Sequence, residues 1–209
     1  MSRGHLARVA AVPVVAAFVG FGLPALAGGI DHKVEFDDSG IWSRSNQLFL
    51  RNSTIVLTVG AALWEGSDTR LGKTVWQSVD AMIMGAATSE TMKVVFSRTR
   101  PSETDDPNLW FQGHGNKSFP SGEVMLVTTA ITPIVLEYAA EQPAVWGLVL
   151  LPIYDAVARV KVHGHWQSDV LVGAGIGVAW GVWAHHRKTP LIMGLLPGRG
   201  LMVGYSRQF

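Results

Sequence analysis

The sequence holds no cysteine. That excludes a disulfide scaffold, a thiolate zinc site and a cysteine nucleophile. Charge is scarce too: Asp, Glu, Lys and Arg make up 16% of the residues, against roughly 25% in an ordinary soluble domain. The formal net charge is +1 with a pI near 8.1, so no basic surplus points to nucleic acid. Beyond the amino-terminal segment, long hydrophobic runs are also missing. The uncharged stretches 52–64, 124–136, 142–154 and 170–184 all fall short of the roughly 18 apolar residues that a spanning helix needs. What the chain does have is apolar bulk, 48% of its residues, with a mean hydropathy of +0.23. That excludes a disordered chain and leaves a greasy helical bundle or a membrane-associated protein.

Part of the apolar surplus sits at the start. Arg3 and Arg8 precede an uncharged stretch over 9–26, and Ala25-Leu26-Ala27 supplies small residues around a cleavage point. This is the layout of a secretory signal peptide. We read residues 1–27 as that peptide and 28–209 as one exported domain of the periplasm or cell envelope. Retention of the segment as a transmembrane helix is the alternative, weakened by Pro13 and Pro24. Loss of Arg3 and Arg8 takes the 17 Lys and Arg to 15, against 16 Asp and Glu.

The remainder reads as an all-α bundle of about five core helices, near 47–64, 74–97, 121–140, 144–162 and 168–186. Gly66-Ser67-Asp68, Arg100-Pro101-Ser102, Gln142-Pro143 and His163-Gly164 separate them. Gly173, Gly177 and Gly181 recur every four residues in the last helix and give it one smooth face for close helix approach. The loop 98–120 is long for a compact domain, a length that goes with function or disorder. Around Pro197-Gly198-Arg199-Gly200 the tail reads as a short C-terminal β-hairpin.

Three clusters carry chemistry. Lys93 stands seven residues before Arg100-Pro101; Pro120-Ser121-Gly122-Glu123 opens the third helix; Arg159 is followed by His165 and then Asp169. A phosphate dianion needs cations and N–H donors in fixed positions. Arginine supplies a planar fork for phosphate oxygens, and a helix amino terminus at Ser121-Gly122 supplies free N–H groups. Lys93, Arg100, Ser121, Gly122 and Arg159 are therefore the expected phosphate-binding residues. His165 and Asp169, four apart, suit a nucleophile and its orienter: Asp169 accepts from Nδ1–H and leaves Nε2 free.

These clusters resemble the signature of the type 2 phosphatidic acid phosphatase superfamily, which includes bacterial acid phosphatases and vanadium haloperoxidases. That signature runs K-x6-R-P, then P-S-G-H, then S-R-x5-H-x3-D. The first element matches in full. The third matches from Arg159 onward, with Ala158 at the serine position. The second ends in Glu123 instead of histidine. The resemblance implies that His165 attacks phosphorus, that a phosphohistidine forms, and that water releases phosphate, with no metal or other cofactor. It also implies that position 123 protonates the leaving group, so Glu123 is the expected proton donor. Neighbouring cations lower a carboxyl pKa and a bound phosphate raises it, two opposed effects. His114, in the long loop, is the other acid within reach of the sequence argument.

The reading is a phosphatase acting on a phosphorylated small molecule or lipid. Loss of the histidine acid favours acidic leaving groups, as in a polyprenyl diphosphate. Two alternatives stand beside it: a vanadate-dependent haloperoxidase, and a non-catalytic envelope protein that binds anions. Oligomeric state and membrane association stay open.

Overall fold

The computed structural model describes residues 29–187, with the backbone of 194–195 and 201–202. Five α-helices carry it: α1 (Arg44–Glu65), α2 (Arg70–Phe96), α3 (Gly122–Tyr138), α4 (Leu150–Lys161) and α5 (Gln167–His185). Short 3-10 helices lie at Gly40–Trp42 and Pro143–Val149. The all-α reading holds, and every expected helix is found within a few residues except the fourth. Its first half, expected as α-helix, is the 3-10 stretch. Pro152 has no N–H to return to the carbonyl of Leu148, which removes one α-helical bond from that turn. The expected signal peptide lies outside the described residues. So does the expected hairpin, apart from a two-residue antiparallel pairing of Gly194–Leu195 with Leu201–Met202.

Local signals set the ends. Gly66, at φ 69, closes α1 with its N–H on the carbonyl of Ala62. Thr69 caps α2, its Oγ1 accepting from the Gly72 N–H at 2.8 Å. Ser97 ends α2 in the left-handed region at φ 30, with its N–H on the carbonyl of Lys93.

Helix α3 is the centre, apolar on all sides, and it packs against the other four. Its closest neighbour is α5, along the glycine face. A Cβ at Gly173 would stand 2.6 Å from the Ser121 carbonyl oxygen, and one at Gly177 would stand 2.7 Å from Thr128 Cβ. Only glycine permits that approach.

The 3-10 stretch and α4 together, Pro143–Lys161, form 19 residues of mean hydropathy 1.4. Among the described residues this is the one helical stretch long and apolar enough to cross a bilayer, by length and composition. Counting uncharged residues stopped short at Asp155, but that side chain turns inward and is buried. Apolar exposure continues on α1, where Phe49, Val56, Leu57, Leu63 and Trp64 face out.

The loop between α2 and α3 is packed. Phe96, Trp110, Phe111 and Phe119 stack around one another with ring centroids 5.1 to 6.1 Å apart. Backbone bonds tie Thr99 to Leu109 and Ser118 to Arg98. The segment before α1 is fastened to the α4–α5 turn, with His163 Nε2–H donating to the Val34 carbonyl at 2.8 Å. His163 is a fastening residue and stands apart from the chemistry.

Candidate active site

One end of the bundle collects the carboxyl termini of α2 and α4 and the amino termini of α1, α3 and α5. There the expected residues meet. The Lys93 ammonium lies 3.0 Å from where a Cβ on Gly122 would stand, which puts it against the start of α3. Its partner is the exposed Glu90, at 2.7 Å. Arg100 donates to the Gly164 carbonyl at 3.1 Å and to that of Lys117 at 3.3 Å. Arg159 lies flat against Gly164, its Cζ 2.6 Å from that residue's Cβ position, so position 164 has no room for a side chain.

His165 precedes the α5 cap residue, Trp166, and is buried. Its Nδ1–H donates to the carbonyl of Ser118 at 2.6 Å. The Asp169 carboxylate, expected to take that hydrogen, stands 3.7 Å away, near enough to attract but beyond a hydrogen bond. Asp169 is turned elsewhere because it closes the first turn of α5. It accepts from the Trp166 N–H at 2.9 Å, from Ser118 Oγ at 2.5 Å and from Arg98 Nη1 at 2.6 Å. Ser118 thus links the two: its hydroxyl is held by Asp169 and its carbonyl holds His165. The outcome for the ring is the one expected, with hydrogen on Nδ1 and the lone pair on Nε2. Burial pushes the His165 pKa down to about 4; Arg159 and Arg100 push the same way, against the attraction of Asp169. The ring is neutral at pH 7.

Glu123 departs from expectation. Its carboxylate takes two hydrogen bonds of 2.6 Å from the Arg44 fork. Arg51 stands at 3.4 Å and Arg159 Nε at 4.0 Å. Burial alone would raise its pKa, but the Arg44 hydrogen bonds and the charges of Arg159, Arg44 and Arg51 bring it down to about 2. With the Arg44 fork engaged, Glu123 is a carboxylate at neutral pH. The proton-donor role expected of it is not supported by this geometry. His114 is exposed beside Lys93, in the lining of a 130 Å³ cavity between the long loop and the end of α2.

Several site residues escaped the sequence reading. Arg98 is buried at 1% exposure. It bonds Asp169, Ser168 Oγ at 2.8 Å, Asp31 at 2.7 Å and the Pro107 carbonyl at 2.7 Å, and its guanidinium lies over the Trp110 ring. Its position between two motif cations was the available signal. Arg44, Gln47 and Arg51 share a face of α1; their spacing of three and four was the signal there. Gln47 Oε1 accepts from both Arg159 and Arg44. Ser89 Oγ, Ser121 Oγ and Arg159 Nε are buried without a hydrogen-bond partner. Such orphans are uncommon in folded proteins and here they ring the same cationic space.

Asp155 is buried one turn before Arg159, with both carboxylate oxygens unpartnered. Burial, and then the charge of Glu123, push its pKa up to about 7. A raised carboxyl pKa favours the neutral form, so the destabilisation from ionising it grows as pH rises from about 4 to about 7. Asp155→Asn is expected to stabilise the fold at pH 8, on the order of 2–4 kcal/mol, and to change little at pH 4. Thermal melts at the two pH values test this; a lower midpoint at pH 8 would mean that the carboxylate is paired.

The constellation of Lys93, Arg100, Ser121, Gly122, Arg159, His165 and Asp169 on a five-helix scaffold defines a recognisable class. The sequence profile of the PAP2 superfamily matches residues 74–192, and the chain belongs to that superfamily. It is similar to a lipid A 1-phosphatase of Porphyromonas gingivalis, with 27% identity over 120 residues. The match covers 56% of this chain and 24% of that protein, so the chain spans about a quarter of its relative's length. No solved structure matches.

Proposed function

We propose that this chain is a phosphatase of lipid-linked phosphoric esters or anhydrides, exported to the cell envelope, working through a phosphohistidine. The observation that carries it is the held tautomer of His165, with a lone pair on Nε2 in the field of Arg159 and Arg100, and with Lys93 against the start of α3. Family membership and a relative that is a lipid A 1-phosphatase support the substrate class.

In this reading the three cations hold the phosphoryl oxygens, with Ser121 Oγ and Arg159 Nε as further donors. Nε2 attacks phosphorus and forms a P–N bond. The bond to the leaving oxygen breaks, and that oxygen departs with the electron pair. Asp169 and Ser118 steady the charge that appears on the ring. Water then attacks phosphorus, the P–N bond breaks, and inorganic phosphate leaves. A Glu123 that stays ionised beside Arg159 cannot protonate the leaving oxygen. A general acid is worth about 10²–10⁴-fold, so groups that depart as stable anions are favoured. A phosphoanhydride offers one, because its leaving group is itself a phosphate; an alkyl monoester does not.

The test is phosphate release by the purified protein from a polyprenyl diphosphate, the matching monophosphate and an aryl phosphate. Turnover is expected, with kcat/KM for the diphosphate about 10²-fold or more above the alkyl monophosphate. Equal values would overturn the anhydride preference. Tight phosphate binding with no release from any of the three would favour the non-catalytic reading.

A further inference from the structure

We propose that Arg44 and Arg51 of α1 form a second anion subsite, which takes the non-transferred phosphate of a diphosphate substrate and is filled by the Glu123 carboxylate when substrate is absent. The proposal deepens the phosphatase reading and rests on it for the identity of the neighbouring transfer site.

Neither arginine belongs to the motifs that define the family resemblance. They stand seven residues apart, two turns of one helix face, a rise of about 10 Å, and both side chains converge on one carboxylate. Arg44 gives Glu123 a two-pronged contact, both bonds 2.6 Å, and Arg51 reaches it at 3.4 Å. A carboxylate held in a guanidinium fork occupies the geometry that a phosphate edge takes in the same fork. The side chains of Arg44 and Arg51 are about a third exposed, at 36% and 35%, so an anion can arrive from solvent and displace Glu123. The subsite adjoins the transfer site directly. Arg159 Nε lies 4.0 Å from Glu123 and has no hydrogen-bond partner, while the same guanidinium presses against Gly164, next to His165.

The charge balance points the same way. Asp169 and Asp31 share Arg98, and Glu90 offsets Lys93. Arg100, Arg159, Arg44 and Arg51 then face Glu123 and the partnerless Asp155. A monoester dianion leaves part of this positive field unused. A diphosphate spreads its charge over two phosphorus centres and engages both halves. When the anhydride breaks, the departing phosphate already lies in the Arg44–Arg51 fork, which stabilises the charge it carries away. The substitution of histidine by glutamate at position 123 then has a physical sense: proton donation to the leaving group gives way to cationic stabilisation of it, and the carboxylate keeps the extra arginines neutralised between turnovers.

Binding of inorganic pyrophosphate and orthophosphate to the full chain carrying His165→Ala tests the subsite without turnover, by calorimetry at fixed ionic strength. Pyrophosphate is expected to bind at least about tenfold tighter than orthophosphate. Adding Arg51→Gln should reduce that ratio to about threefold or less, with Arg51→Lys in between. Adding Glu123→Gln should tighten pyrophosphate more than orthophosphate, because the competing carboxylate charge is gone; a purely structural ion pair gives no such gain. Equal affinity for the two anions, or a ratio indifferent to Arg51→Gln, overturns the subsite. Failure of the phosphatase reading shows separately, as absence of phosphate release by the unmodified chain.

Discussion

His165→Ala is expected to abolish phosphate release, lowering kcat/KM by about 10⁴-fold or more, the scale seen when a nucleophile is removed. The ring combines a free lone pair on Nε2 with a fixed direction. Its Nδ1–H is committed to the Ser118 carbonyl, which leaves Nε2 without a hydrogen and its lone pair available. The variant leaves a buried carbonyl without its donor, a cost of about 1–3 kcal/mol, so circular dichroism must accompany the assay. The unmodified enzyme should show the same group in its pH profile. An ordinary histidine turns nucleophilic above about pH 6.5, whereas His165, with its pKa near 4, is expected to hold activity down to about pH 5 and lose it below. A folded His165→Ala chain retaining a tenth of the wild-type rate would remove the histidine from the mechanism.

Arg98→Met carries the largest expected loss of stability. The side chain is enclosed and is shared by Asp169 and Asp31, at 2.6 and 2.7 Å. Removing one partner of a buried ion pair costs about 3–5 kcal/mol, roughly 10 °C of thermal midpoint for a chain of this size. Methionine keeps an unbranched stem but no guanidinium over Trp110 and Trp166, so the loss reports the charged group. Adding Asp169→Asn should return part of the stability, because the stranded carboxylate is then gone. A single-variant loss below about 1 kcal/mol would show that the pair is screened and that Arg98 is dispensable to the scaffold.

The helices were legible because punctuation and periodicity are local. Gly66, Pro101, Gln142-Pro143 and His163-Gly164 mark real boundaries, and the glycine repeat of the last helix marks a real contact. The motif residues were legible for a related reason: each lies within a few positions of a helix end, and helix ends gather in a bundle. What escaped was set by partners distant in sequence. Arg44 and Glu123 are 79 residues apart, a separation that leaves no spacing signal, so the sign of the Glu123 pKa shift could not be read. The acceptor for His165 is a backbone carbonyl, which every residue carries and no motif encodes. The 3-10 segment was hidden because Pro152 acts four residues before itself. Asp155 looked like the end of an apolar run because a sequence does not say which way a side chain points.

The glycine seam between α3 and α5 has a consequence for reaction geometry. In the proposed mechanism α3 presents the anion-binding turn at Ser121-Gly122, and His165, the proposed nucleophile, stands just before α5. Gly173 meets the Ser121 carbonyl itself, so the seam starts at the phosphate cradle and runs down the bundle from there. In that mechanism the spacing between the Ser121-Gly122 turn and His165 is gauged by backbone thickness at Gly173, Gly177 and Gly181. One methyl group there would act as a shim, forcing the two helices apart and carrying His165 away from the Ser121-Gly122 turn.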